Sequence, residues 1–496
     1  MTGRPAVKRD RTAIVRYSLS RPLRFAMEAG LVGPDREVFD YGCGRGSDLK
    51  HLARLGIRAA GWDPVHRPEE AQRAADVVNL GYVLNVIENP AERADALRRA
   101  WELARRVLVV AARLSIDAPE DSGTPFEDGC LTSRQTFQKF FGQTELRECI
   151  DDALGVSSIA AAPGVFFVFR DEALRQGYFA SRYLRPRAAP KPRKSDLLFE
   201  QHKALLEPLI AFVSRRGRLP DDVELPEAPA IVATLGSTRQ AFAVVRRVTG
   251  SEQWERIRDE RHQELLIHLA LSRFGGRPRF SELPLDLRLD IRDFFSTYKS
   301  ACESADRLLF SSGDMGGIDA AVRSSAVGKL TGNALYVHVD ALHLLSPVLR
   351  VYEGCARNYV GVVERANLIK LHRDEPRISY LYYPGFDRHP HPALHGSFVV
   401  GLQTLDAKYR DYSQSENPPI LHRKEEFLGP DDPRRQRFAH LTAQEERRGL
   451  LADASAIGFR SGWDQVLAAR GVRLRGHRLV RSDPSGTAAE PGAIGS

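Results

Sequence analysis

Cysteine is scarce. The five in 496 residues (Cys43, Cys130, Cys149, Cys302 and Cys355) stand far apart, and no two form a C-x-x-C pair. That scarcity speaks against a disulfide framework or a cysteine-built zinc site, and it suits a reducing cytoplasm. No apolar stretch approaches the roughly 20 residues that span a bilayer, so no membrane partner is expected. The opening residues 1–10 are basic and lack an apolar h-region, so they do not read as a signal peptide. No internal repeat is present. What remains is ordinary for a soluble protein, 43% hydrophobic and 27% charged residues. The length exceeds one core and predicts roughly three domains. A formal charge of +8 and a pI near 9.2 favour polyanionic partners without identifying one.

The most informative segment is Val38-Phe39-Asp40-Tyr41-Gly42-Cys43-Gly44-Arg45-Gly46. An apolar run enters a glycine-rich turn, and a helix-like stretch with Asp48, Leu49, Leu52 and Leu55 leaves it. Glycines let the backbone turn sharply and approach a ligand closely. A second short strand, residues 57–62, ends at Gly61-Trp62-Asp63. An acid at that strand tip can accept hydrogen bonds from ribose hydroxyls. The turn is not G-x-G-x-x-G; it is Asp-x-Gly-x-Gly-x-Gly with the acid inside the strand end. This arrangement resembles the S-adenosylmethionine loop of class I methyltransferases. Glycine turns of this type also occur in α/β proteins that bind nothing, and Asp63 at the strand end is what weighs against that alternative.

Along the chain, residues 1–34 carry an amphipathic helical pattern broken at Arg21-Pro22, a lid or brace for the first sheet. Residues 35–175 alternate strand and helix. Strands are expected at 38–41, 57–62, 76–80, 107–112 and 165–169, the last suited to a sheet edge, and helices at 48–55, 91–104 and 132–153. That alternation implies an α/β, Rossmann-like domain with a mainly parallel sheet. Residues 176–197 form a basic, proline-rich linker whose core, 182–194, has six cations, three prolines and no acid. It reads as a solvated hinge or as a strap on phosphates. Residues 198–326 are a helical domain in which Ser237 or Thr238 caps a helix bearing Arg239, Arg246 and Arg247. That module packs against its neighbours or docks on DNA. Residues 327–481 read as an α+β domain, with strand-like runs at 336–339, 378–383 and 398–402, and residues 482–496 as a disordered tail.

Three further motifs bear on chemistry. Asn79-Leu80-Gly81-Tyr82 ends the strand at Asp76, at the carboxyl edge where open parallel sheets bind ligands. It keeps the Asn and Tyr of the Asn-Pro-Pro-Tyr motif of amino-group methyltransferases but neither proline. Asn79 and Tyr82 are therefore the catalytic candidates, Asn79 orienting an amino group and Tyr82 stacking on a base. The alternative has Asn79 lining the cofactor and Tyr82 packing on a helix. Asn417-Pro418-Pro419-Ile420 reads as a polyproline turn, since the sheet already has its strand at Asp76. The loop Asp387 to His395 gathers an acid and the histidines His389, His391 and His395. Its spacing fits no common zinc template, so no metal is assigned.

These segments together give the chain a family likeness. With Arg11-Thr12-Ala13-Ile14-Val15-Arg16, Leu19-Ser20-Arg21-Pro22-Leu23, Phe39 to Gly46, Gly61-Trp62-Asp63-Pro64 and above all Ala75 to Ile87, it resembles the bacterial DNA phosphorothioation-associated methyltransferase family. The likeness continues through Thr132 to Lys139, Tyr352 to Arg357 and Asn417 to Glu425. It implies a cytoplasmic protein with a class I methyltransferase domain and S-adenosyl-L-methionine as cofactor. Its partners would be nucleic acid, DNA first, and proteins of the phosphorothioation system. The implied cofactor residues are Asp40, Tyr41, Gly42, Gly44, Gly46, Asp63, Asn79, Leu80 and Gly81. One departure stands out. Asp63 and Asp76 are too close for the usual intervening helix and strand, which leaves Asn79 and Leu80 to supply part of the adenine edge. Two other functions stay open, a non-catalytic cofactor-sensing or DNA-binding accessory protein, and an RNA or tRNA methyltransferase.

Overall fold

The computed structural model describes residues 7–119, 122–185, 187–192 and 197–482. It divides into two units, Met1–Gly313 with Gly354–Val362, and Asp314–Glu353 with Val363–Ser496. In the first unit the chain enters its first helix, α1 (Arg21–Glu28), with Pro22 in the opening turn. A proline is pre-set for that position, where its missing N–H is not needed. The helical pattern expected upstream of the break is not realised. Residues 12–20 run as an irregular strap into the proline, which starts a helix rather than kinking one.

The sheet of this unit has the order β2-β1-β3-β4-β9-β8. Its strands are β1 (Val38–Tyr41), β2 (Ala59–Trp62), β3 (Ala75–Gly81), β4 (Ala104–Ala111), β8 (Ile159–Ala162) and β9 (Val165–Phe169). β1 pairs in parallel with β2 and β3, and β3 with β4. β9 runs antiparallel to both β4 and β8. The register sets Asp40 opposite Gly61 on one side and Asn79 on the other. Among the described residues no strand pairs outside β2, so the short segment between Asp63 and Asp76 leaves β2 as the edge, as the spacing implies.

Helices α2 (Ser47–Arg54), α3 (Pro90–Leu103), α4 (Gln143–Leu154) and α5 (Glu172–Ser181) accompany the sheet. Asn89 starts α3 by accepting from Ala91 N at 2.9 Å, and Gly155 ends α4 in the left-handed region. Two expectations need correction. Helix α4 begins only at Gln143, because residues 124–138 fold back as a small antiparallel sheet of β5 (Thr124–Phe126), β6 (Gly129–Leu131) and β7 (Phe137–Gln138). β9 is an interior strand, since β8 adds outside it. Its five side chains are buried, each contributing about 1.5–3 kcal/mol. Phe166 and Val168 enter the core with Leu108, Val110 and Leu146. Phe167 and Phe169 turn to the other face, onto Tyr178 of α5.

The helical middle, α6 (Leu197–Arg216), α7 (Ala228–Leu235), α8 (Thr238–Thr249), α9 (Glu252–Ser272), α10 (Leu285–Phe295) and α11 (Tyr298–Ser311), belongs to the same unit as the sheet. Ser237 caps α8, accepting from Gln240 N at 3.1 Å. The apolar face of α8 (Ala241, Val244, Val245, Val248) packs into a core with Leu206, Leu209, Ile231 and Trp254. The described part of the linker is not a free hinge. Arg187 pairs with Glu260 and Glu264, at 2.6 and 2.7 Å, and Arg261 donates to Glu264 at 2.6 Å. A second buried network joins Arg218 to Asp290 and Glu224, with Arg216 also on Asp290.

The second unit holds α12 (Met315–Arg323) and an antiparallel meander paired in chain order. Its strands are β10 (Lys329–Leu330), β11 (Ala334–His338), β12 (Leu368–His372), β13 (Arg377–Tyr382), β14 (Gly396–Gly401) and β15 (Ala407–Asp411). Lys408 and Arg410 stay exposed on edge strand β15, where charge discourages further pairing. Helix α13 (Pro347–Val360) is divided between the units. Helices α14 (Arg435–Arg447) and α15 (Arg460–Ala469) follow, then the hairpin β16 (Val472–Leu474) and β17 (Leu479–Arg481). The expected disordered tail lies outside the described residues from 483 onward. No described helix is long and apolar enough to cross a membrane.

Candidate functional site

The chain goes from β1 to β2 on one side and from β2 to β3 on the other, so the carboxyl end of β1 is a switch point. Crevices at such points are where open α/β sheets bind ligands. The Asp40 to Gly46 turn lies there. Its path is fixed by Gly42 N and Cys43 N, which both donate to Trp62 O, at 2.8 and 3.0 Å. Gly42, Gly44 and Gly46 have φ of 81°, 52° and 74°. An L side chain in that region costs about 1–2 kcal/mol. Space agrees with conformation: a Cβ at Gly42 would stand 2.5 Å from Val83 Cγ2, and one at Gly46 would stand 3.0 Å from Arg67 Nη1.

Asp63 sits at the end of β2, as the sequence predicts, and organises the turn. Its Oδ2 accepts from Gly44 N at 3.0 Å, and its Oδ1 accepts from Val65 N and His66 N at 3.0 and 2.8 Å. Asp40 is 4% exposed and accepts from Asn79 Nδ2 at 2.8 Å. Burial, with a smaller contribution from Asp48, pushes the Asp40 carboxyl up to about 7. Tyr41 and Leu80 are also buried, Tyr41 against the Trp62 ring at 5.2 Å. Gly81 leaves room for the Asn79 side chain and for Pro22, each within 3.2 Å of where its Cβ would be.

The cofactor candidates thus separate by position. Gly42, Gly44, Gly46 and Asp63 form the turn itself, while Asp40, Tyr41, Asn79, Leu80 and Gly81 form the wall behind it. Of the two catalytic candidates, Asn79 is 2% exposed and turned toward Asp40. Tyr82 is half-buried at the carboxyl end of β3 with φ 65°, a conformation costing about 1–3 kcal/mol for a side chain of this size. Its N–H donates to Ala111 O at 2.7 Å, and the Arg16 guanidinium lies 5.6 Å from its ring centroid. Cys43 is buried and its thiol is pushed up to about 12 by burial and by Asp40 and Asp63, so it is no nucleophile at neutral pH.

The strap before α1 crosses this turn. Arg16 N donates to Ser47 Oγ at 3.2 Å, and Ser20 N donates to Asp48 Oδ1 at 2.8 Å. Ala13 Cβ lies 3.1 Å from where a Gly44 Cβ would be. Tyr17 is 96% exposed on this strap. Sequence reasoning missed Arg16, and it missed the turn after Asp63. There His66 Nε2 and Arg67 Nε are buried without a protein partner. The signal was the His66-Arg67 pair standing just beyond Pro64 and Val65 after the strand-end acid.

Structural comparison finds likeness to methyltransferases over about a third of the chain. Over 30% of its length the chain is similar to magnesium protoporphyrin IX methyltransferase from Synechocystis PCC 6803 with bound SAM (17% identity, 76% of that chain, TM-score 0.21). Over 30% it is similar to CalS10, an amino pentose methyltransferase from Micromonospora echinaspora (17% identity, 89% of that chain, TM-score 0.23). Over 34% it is similar to the sugar N-methyltransferase KedS8 from Streptoalloteichus sp ATCC 53650 (18% identity, 99% of that chain, TM-score 0.22). No protein-family model matches the chain, and no curated protein does. Scores of this size carry no argument about what the chain does, which rests on its own strand order and turn.

The remaining motifs take structural places. Asn417 Oδ1 accepts from Ser461 N at 2.9 Å in the first turn of α15, and Pro419 bridges Phe459. The loop histidines do not converge. The His389 carbonyl accepts from Lys424 Nζ at 2.6 Å, His395 packs near Tyr382, and His391 alone reaches inward, to Glu445. Lys424 is buried, which pushes its ammonium down to about 7. On α8 the arginines Arg239, Arg246 and Arg247 are exposed, and Arg246 pairs with Glu255 at 3.3 Å.

Proposed function

We propose that the first unit is an S-adenosyl-L-methionine-dependent methyltransferase whose acceptor is nucleic acid, DNA in the setting of bacterial DNA phosphorothioation. The observation that carries the reading is the turn at the switch point, with three left-handed glycines and the Asp63 carboxylate bonded into it. The glycine backbone gives a ligand close approach. Asp63 Oδ2 accepts one hydrogen bond from the turn and has a second lone pair for a ribose hydroxyl. Arg67, whose Nη1 lies beside Gly46 while its Nη2 pairs with Glu70, adds positive charge next to the turn for a ligand carboxylate. Bound there, the cofactor supplies an activated methyl group. Transfer then needs mainly alignment of the acceptor atom. Tyr82 presents a ring on which a base can stack, and Asn79 acts through Asp40 as a positioning residue. The net charge of +8 and the family likeness support a nucleic-acid acceptor.

The burial of Asn79 favours a second reading, in which the pocket binds cofactor and the protein serves as a non-catalytic accessory. One experiment separates the two. The full chain is incubated with tritiated S-adenosylmethionine and duplex DNA, phosphorothioate DNA or tRNA, beside Tyr82→Ala. Label in DNA that falls at least tenfold in the variant supports transfer to DNA. Label confined to tRNA moves the acceptor to RNA, and cofactor binding without label on any of the three supports the accessory reading.

A further inference from the structure

In the second unit, His391 and His422 lie 31 residues apart in sequence, and Glu445 a further 23, a spacing that matches no short metal motif. The fold brings them together through backbone pairing. Ala393 bridges Ile420, with Leu394 N on Pro419 O and Leu421 N on Pro392 O, so the segments carrying the two histidines lie side by side. Ile420 N on Gly458 O adds the approach to α15, whose Trp463 packs against both imidazoles at 4.7 Å. Glu445 enters from α14. One potential ligand atom from each of the three side chains lies within 4.8 Å of the others.

Each histidine has one ring nitrogen committed to a backbone carbonyl. His391 Nδ1 is 2.8 Å from Leu421 O, and His422 Nε2 is 2.8 Å from Ile457 O. The other two nitrogens are left for the cluster. His391 Nε2 is 2.7 Å from Glu445 Oε1, while His422 Nδ1 has no hydrogen-bond partner. Glu445 is 0% exposed, and its Oε2 is likewise without a partner. The surroundings are apolar, with Ile420, Leu441, Leu450, Ile457 and Trp463 in one core. Buried polar atoms without partners in such a setting are costly. Imidazoles oriented by carbonyls on their far side are the usual support of metal-bound histidines.

We propose that His391, His422 and Glu445 bind a zinc ion that ties the 385–395 loop, the 417–425 segment and α14 together. Two imidazoles and a carboxylate suit zinc rather than calcium or magnesium, and three protein ligands leave a fourth position for water. Ligand atoms around tetrahedral zinc stand about 3.3 Å apart, so the His391 to Glu445 contact opens by only about 0.6 Å. The ion replaces the hydrogen bond between them and gives His422 Nδ1 and Glu445 a partner.

The test uses the full chain. Zinc is measured in the purified protein, removed with a chelator, and replaced by cobalt(II) as a visible-absorbing probe. The proposal expects about one zinc per chain, lower thermal stability after stripping, restoration by zinc, and cobalt d–d bands that are lost in His422→Gln and in Glu445→Gln. Retained binding of S-adenosylmethionine by each variant reports that the first unit is folded. A wild-type protein that shows no cobalt bands and a melting temperature unmoved by zinc overturns the proposal and leaves a buried histidine–carboxylate pair. Equal cobalt bands in both variants place the metal elsewhere and overturn it too.

Discussion

Asp40 is the ionisable group whose removal tests the electrostatics of the wall most cleanly. It is buried beside Asp48 and accepts from Asn79, and its carboxyl is pushed up from an ordinary value near 3.8 to about 7. The neutral form is therefore the one the fold prefers. Its contribution is fully present below about pH 4 and is lost as pH rises through 7, because ionisation places a charge in a dry site beside Asp48, which the Asn79 hydrogen bond and Arg16 offset only in part. At 1.36 kcal/mol per unit the loss is about 3 kcal/mol between pH 4 and 7 and approaches about 4 kcal/mol above that. Asp40→Asn keeps an acceptor oxygen for Asn79 and removes the titration. The two proteins should have similar stability near pH 4, and the variant should be the more stable at pH 8, melting on the order of 5 °C higher. Thermal melts of both proteins, followed from pH 4 to 8 and compared by difference, read this directly. A difference that is flat across the range, or a variant that is less stable at pH 8, refutes the reasoning.

Other consequences follow from the same geometry. Tyr82→Gly removes a side chain from a left-handed position, so stability should stay level or rise by about 1 kcal/mol while methyl transfer is lost. Denaturation and activity measured together check it, and a variant that is destabilised by as much as it is inactivated would show that the ring is a packing residue. Glu264→Gln leaves Arg187 and Arg261 without their buried acid and should cost about 3–5 kcal/mol, seen as a lower melting temperature of the first unit. A melt within experimental error of wild type would mean that the arginines find other acceptors.

Much of the first unit was legible because its signals are local. The apolar run at Val38, the glycines after it and the acid at Asp63 lie within 26 residues, and the fold assembles them as their spacing suggests. The short gap after Asp63 correctly indicated the missing strand. What stayed hidden depends on partners distant in sequence. Asn79 looks exposed as a strand-end amide until the parallel register places it opposite Asp40. The basic linker looks like a hinge until Arg187 meets Glu264, 77 residues on. The residues from Thr132 to Phe141 have helical composition in part, but a turn at 133–135 folds Phe137 and Gln138 back onto Cys130 and Leu131. His391 looked like one of three loop histidines, and only the pairing of its loop with the Pro419 segment brings it to His422 and Glu445.

The central claim is that the Gly42 to Gly46 turn is the S-adenosylmethionine pocket, and calorimetry on the full chain with S-adenosylmethionine and S-adenosylhomocysteine tests it most directly. Both should bind saturably, one to one, with affinity weakened by a factor of at least ten in Gly42→Val, whose side chain meets Val83 and whose φ opposes a β-branched residue. No heat of binding in the wild type, or equal affinity in Gly42→Val, would contradict it.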